Sequence, residues 1–189
     1  MIFRTSFAAL MLVFSVVPAH ADDVCNDLWF TRNLIMDRAG YCFGSILGQS
    51  VYDNADCTGK SVSLSADAQA QVSQIRDLEQ SIQCRVDTGQ PVIDLEDLDM
   101  RRRLIDLPVR DEYESGCIGW LEDPLPLRGG HSAAATVVGE VRRGDSVTFS
   151  HATVGAWNYV IVSDREWRYR SAGWTDHAFP ITACEQFAG

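Results

Sequence analysis

Trp157-Asn158-Tyr159-Val160-Ile161-Val162 is the stretch on which the reading of the fold turns. Its alternation is imperfect, and large apolar groups point to both faces. That suits a strand in a small closed barrel better than a strand with one fully wet face. Outward from it, Thr136–Val138, Ser146–Phe149 and Trp167–Tyr169 read as further short strands, and Gly139, Gly144, Gly155 and Gly173 punctuate them. Ser163-Asp164-Arg165 is a candidate hairpin turn. The C-terminal third is therefore expected to be β.

The N-terminal third has another period. Asn26 or Asp27 can cap a first helix, Leu28, Leu34, Ile35 and Ala39 give it an apolar stripe, and Gly40 can end it. A second helix is expected from about Ala66 to Cys84, with Ser65 as cap and Val72, Ile75, Leu78 and Ile82 on one face. Asp53 to Gly59 form a turn-rich loop between them. The fold class is α+β: a small, disulfide-stapled helical domain followed by a β-barrel. The expected units are a signal peptide at 1–21, a cysteine-stapled domain at 22–90, an acidic connector at 91–121 and the β domain at 122–189.

Arg4, the apolar run Phe7 to Val17 and the exit Pro18-Ala19-His20-Ala21 fit a secretory signal peptide cleaved after Ala21. No later stretch reaches the roughly 20 apolar residues of a membrane helix, so no integral membrane segment is expected after cleavage. The expected location is the periplasm or the medium. The six cysteines, Cys25, Cys42, Cys57, Cys84, Cys117 and Cys184, all lie beyond the cleavage point, and an even set behind such a leader reads as a disulfide framework. Six cysteines allow many pairings. The arrangement favoured by position joins Cys42 to Cys57 and Cys25 to Cys84, with Cys117 and Cys184 clipping the β domain. The formal net charge of −10 argues against nucleic acid as a partner, because such binding rests on neutralising phosphates.

Leu125-Pro126-Leu127-Arg128-Gly129-Gly130-His131-Ser132 resembles the opening of bacterial SH3-like domains. Val138-Gly139, Arg142-Arg143-Gly144-Asp145 with Val147, Trp157 with Val160, and Gly173-Trp174 follow in the order of that family. Pro126 and His131 depart from its pattern. The resemblance implies an SH3-like barrel over about 122–182 and the binding of a ligand such as a cell-wall peptide. Arg32, Asn33, Ile35, Arg38, Gly40, Tyr41 and Phe43 resemble the YARHG domain of bacterial envelope proteins, although Met36, Asp37 and Ala39 replace parts of its signature. The whole arrangement is similar to the exported DUF4453 proteins. None of these resemblances supplies a reaction.

The residues offer little catalytic chemistry. Ser163, His151 and Asp164 could form a triad on paper, but no Gly-x-Ser-x-Gly elbow accompanies them. His131, His151 and His177 lack metal-ligand spacing, and there is no Cys-x-x-Cys pair. Glu112, Glu114, Glu122 and Asp123 read as a solvated acidic cluster. No catalytic residue, metal or cofactor is expected. Aromatic residues instead concentrate towards the C-terminus, with Trp120, Trp157, Trp167 and Trp174 there. An extended 166–170 would set Trp167 and Tyr169 on one face, with Arg168 and Arg170 on the other. The expected ligand-binding set is Trp167, Arg168, Tyr169, Arg170 and Trp174. It describes an envelope protein that binds a peptidoglycan peptide or another envelope protein. The alternative is a secreted inhibitor or immunity-type protein directed at a periplasmic enzyme.

Overall fold

The computed structural model describes residues 20–189. Most of the expected signal peptide, 1–21, lies outside the described residues. The first helix, α1 (His20–Arg38), begins upstream of the expected cap. Asn26 and Asp27 fall inside it, and Asp27 is buried. Leu28, Phe30, Leu34 and Ile35 form its core side. Gly40, at φ +86°, turns the chain just after it, a conformation glycine adopts without steric cost. A short helix, α2 (Ile46–Val51), is capped by Ser45. In α3 (Ala66–Ser81) the Ser65 hydroxyl accepts the Ala68 N–H at 3.2 Å. Val72 and Ile75 are buried, whereas Ile82 lies past the last turn and is exposed. A fourth helix, α4 (Leu98–Arg103), lies in the acidic stretch.

Seven strands follow: β1 (Arg110–Trp120), β2 (Leu125–Arg128), β3 (Val137–Val141), β4 (Ser146–His151), β5 (Asn158–Ser163), β6 (Tyr169–Thr175) and β7 (Cys184–Ala188). They make one antiparallel sheet in the order β3-β2-β6-β5-β4-β1-β7. The fold is α+β. The sheet is open, with β3 and β7 as its edges, and does not close into the small barrel expected.

The reason lies in β5, whose apolar residues serve two cores. Tyr159 and Ile161 pack with Leu28, Phe30, Met100 and Leu104 from the helices. Val160 and Val162 turn to the other face, where they meet Trp120, Leu127, Val141 and Val147. Both faces of this strand are therefore covered, one by the helical layer and the other by the second core. Residues 91–121 hold α4 and all of β1, so this stretch is packed into both parts of the molecule.

All three favoured disulfides are present: Cys25–Cys84, Cys42–Cys57 and Cys117–Cys184. Such bonds fit a protein held outside a reducing compartment. Among the described residues no helix is long and apolar enough to cross a membrane. Cys117–Cys184 joins β1 to β7 across 67 residues of chain. Replacing both cysteines by serine is expected to cost about 4 kcal/mol, by the loop entropy returned to the unfolded chain. Urea unfolding of the double variant reads this directly, and an unchanged midpoint would exclude a stabilising role.

Candidate functional site

The helices and the sheet meet around one guanidinium. Arg101, on α4, is fully buried. Its Nη1 donates to Asp27 Oδ1 at 2.6 Å and to the Thr31 hydroxyl at 2.9 Å, its Nη2 donates to Asp27 Oδ2, and its Nε donates to Asp97 Oδ2 at 2.9 Å. The sheet supplies two more groups. Tyr159 on β5 donates its hydroxyl to Asp97 Oδ2 at 2.7 Å, and its ring lies 5.7 Å from the Arg101 guanidinium carbon. His151 on β4 places Nε2 3.0 Å from Asp27 Oδ2 and 2.8 Å from Arg101 Nη2, with Nδ1 3.2 Å from the Ser150 hydroxyl.

Burial works against every charge in this cluster, and pairing decides the outcome. Burial acts to raise the Asp27 carboxyl, but Arg101 and His151 outweigh it and hold the group well below the usual carboxylate range. Burial acts to lower Arg101, but Asp27 and Asp97 keep it firmly protonated. At His151 burial wins, helped by the charge of Arg101, and the imidazole falls below its ordinary 6.5 despite Asp27. Burial and the charge of Asp97 push the Tyr159 phenol up, so it stays a hydrogen-bond donor. His151 is thus committed to Asp27 in the interior, and not to Ser163 and Asp164.

The expected ligand-binding residues divide among different surroundings. Residues 166–170 are not one extended run: β5 ends at Ser163 and β6 begins at Tyr169, with a turn between. Trp167 sits in that turn at φ +60° and is 62 % exposed. It therefore shares no strand face with Tyr169. Asp164 holds the turn together. Its Oδ1 accepts the N–H groups of Glu166 at 2.9 Å and Arg168 at 3.0 Å, and its Oδ2 accepts Arg168 Nε at 2.8 Å. The hydrogen bond from the Arg168 side chain, then those from the backbone, draw the Asp164 carboxyl below its usual value. Arg168 is exposed and already paired with Asp164 and Glu166. Trp167 stands at the rim of a cleft of about 430 Å³ with Asp23, Asp94, Glu96 and Glu114 on its walls.

Tyr169 and Arg170 belong to another cleft, of about 680 Å³, which they share with Arg103 and Arg142. Trp174 is a correction to the expected set. It is fully buried, its Nε1–H donates to the Asp106 carbonyl at 2.8 Å, and its ring meets Tyr159 edge-on at 5.6 Å. It supports the core beneath the sheet and presents no surface to a ligand.

A family model described as a domain of unknown function, DUF4453, matches residues 83–189, more than half of the chain. The chain belongs to the DUF4453 family. A second model, the YARHG domain, matches residues 9–80. No curated protein and no solved structure matches the chain.

The buried cluster of this DUF4453 protein crosses the two matches, with Asp27 and Thr31 in the YARHG part and Asp97, Arg101, His151 and Tyr159 in the DUF4453 part. The sequence reading did not find this cluster. Asp97 and Arg101 stand four apart, acid before base, beside Met100 and Leu104, and that spacing was its one local sign.

Two outcomes follow for the DUF4453 chain. Arg101→Met leaves Asp27 and Asp97 buried without their cation and is expected to cost about 3–5 kcal/mol, measured by chemical unfolding. An effect below about 1 kcal/mol, the range of a surface pair, would mean that the cluster is solvated in solution. The pH dependence has a definite sign. His151 stays neutral when folded but takes up a proton near its ordinary 6.5 when unfolded, so its contribution is full above that value and is lost as pH falls through its lowered folded value. Asp27 acts in the same direction further down, beginning below 3.8. Stability should therefore fall with acid in two windows, and His151→Gln should remove the upper one. Melting curves taken from pH 8 down to about pH 2 cover both windows and decide the matter.

Proposed function

We propose that this protein is a non-enzymatic binding protein of the cell envelope, and that it recognises a cell-wall peptide or an envelope protein with Trp167 as its anchor. The supporting observation is the way Trp167 is displayed. A bulky residue in the left-handed region costs about 1–2 kcal/mol, and an exposed indole adds nothing to the core. Here the backbone conformation is held by an aspartate that accepts hydrogen bonds on both sides of Trp167, and the indole is left exposed. Rigid, exposed tryptophan is the residue type most enriched at binding hot spots. The resemblance of residues 122–182 to SH3-like domains supports the same reading. So does the disulfide-clamped sheet beneath, which limits the ordering cost on binding. The sealed His151–Asp27 pair is engaged in structure, which favours recognition over acid–base chemistry at those groups.

Cosedimentation with purified murein, alongside capture of proteins from an envelope extract, tests this reading. Trp167→Ala is expected to weaken binding at least about tenfold, in line with a hot-spot residue. Arg168→Ala should weaken it less, by loosening the Asp164 turn. Wild-type strength in both variants would remove Trp167 from the interface. Stoichiometric capture and inhibition of one periplasmic enzyme would instead favour an inhibitor.

A further inference from the structure

The second cleft is separate from the Trp167 turn and has a different charge. Arg103 ends α4, Arg142 follows β3 and Arg170 lies on β6, so three distant segments bring their guanidinium groups to one cleft of about 680 Å³. This convergence occurs in a chain whose formal net charge is −10. Two carboxylates line the same cleft, Glu140 and Asp145. Glu140 takes Arg142 Nε at 2.6 Å. Asp145 is buried, and it orients the pair beside it: one oxygen accepts the Arg142 backbone N–H at 2.8 Å, and the other faces Arg170 Nη1 at 3.4 Å. Arg103 touches only a backbone carbonyl, that of Asp99, at 3.3 Å, and pairs with no carboxylate among the described residues.

Three guanidinium groups against two carboxylates leave one unit of positive charge. Donors also remain unused, since each arginine commits only one side-chain nitrogen to a hydrogen bond among the described residues. Tyr169 adds a neutral donor. Burial, and then the charge of Asp97, push its phenol up to about 12, so its hydroxyl keeps its proton. Met100, Pro126 and Val137 give the cleft an apolar side. A lone oxyanion with an adjoining apolar group matches this lining, and the surplus of one charge fits a monoanion better than a dianion. Planar carboxylate is the group that the guanidinium fork fits bidentately.

We propose that the cleft between α4, β3 and β6 is a carboxylate-binding site for a peptide, with Arg103, Arg142, Arg170 and Tyr169 as its donors. Arg103 carries the most weight, because it brings a cation from the helical layer that no protein carboxylate neutralises. Asp145 is a positioning residue. The site does not depend on Trp167.

NMR titration of the full disulfide-bonded protein with three short probes tests this. They are acetyl-alanyl-alanine with a free carboxylate, the same dipeptide as its terminal amide, and acetyl-alanyl-glutamyl amide. The free acid should shift the arginine side-chain N–H signals and Tyr169, and the amide should not. A response to the glutamyl amide would assign the site to acidic side chains as well as chain ends, and its absence would restrict the site to chain ends. Arg103→Gln, a change at an exposed residue, should weaken the response at least tenfold, while Trp167→Ala should leave it intact. Equal binding of acid and amide, silence with both carboxylate probes, or full binding by Arg103→Gln with an unchanged circular dichroism spectrum would overturn the proposal. Loss of murein binding in Trp167→Ala with probe binding retained would separate this site from the anchor.

Discussion

A single buried cation sets the terms for the rest of this molecule. Arg101 lies in the interior with Asp27, Asp97, Thr31, Tyr159 and His151 around it. An ion removed from water loses several kcal/mol of hydration even after relaxation, and only close, hydrogen-bonded partners return it. Each partner comes from a fixed place: α1, the residue that precedes α4, β4 and β5. Such a cluster discriminates more than it stabilises, because a shift of any one element leaves a charge uncompensated. The apolar contacts around it tolerate small displacements, whereas the guanidinium fork does not.

The disulfides bear on a different part of the problem. Cys25–Cys84 and Cys42–Cys57 lie within the N-terminal helical part, and Cys117–Cys184 lies within the sheet. None of the three crosses from the helices to the sheet. Covalent clamps therefore make each part compact, and noncovalent contacts fix how the parts meet. Acid would act on the second kind of link through Asp27 and His151, and reductant on the first. The two perturbations should thus give different unfolding routes in one protein.

The order in which the fold can be read from the sequence has a physical basis. Strong local signals were legible: Ser65 capping α3, Gly40 closing α1, the cysteine framework, and the strands around Tyr159. Closure of the sheet was not, because the two-faced character of Tyr159–Val162 fits a barrel interior and a helix-covered open sheet equally well. Asp27 was misread as a cap because aspartate suits an N-cap, and nothing local reveals a partner 74 residues away at Arg101. Trp174 was counted in the ligand-binding set, because the contacts with Asp106 and Tyr159 that hold it in the core exist only after the sheet forms. Trp167, Arg168, Tyr169 and Arg170 were assigned to one extended run that the Asp164 turn interrupts.

The charge distribution completes the connection between fold and recognition. An acidic chain repels anions at long range, and salt screens that field beyond about 10 Å. Carboxylate recognition on such a surface must rest on short-range contacts made by a local excess of cations. The cleft at Arg103 has that character, and it exists because α4 is pinned against the sheet by Arg101, two residues earlier on the same helix. One helical turn thus directs one arginine inward to join the layers and another outward to a cleft. If the joint loosened, Arg103 would part from Arg142 and Arg170, so the buried cation and the surface cation are mechanically coupled.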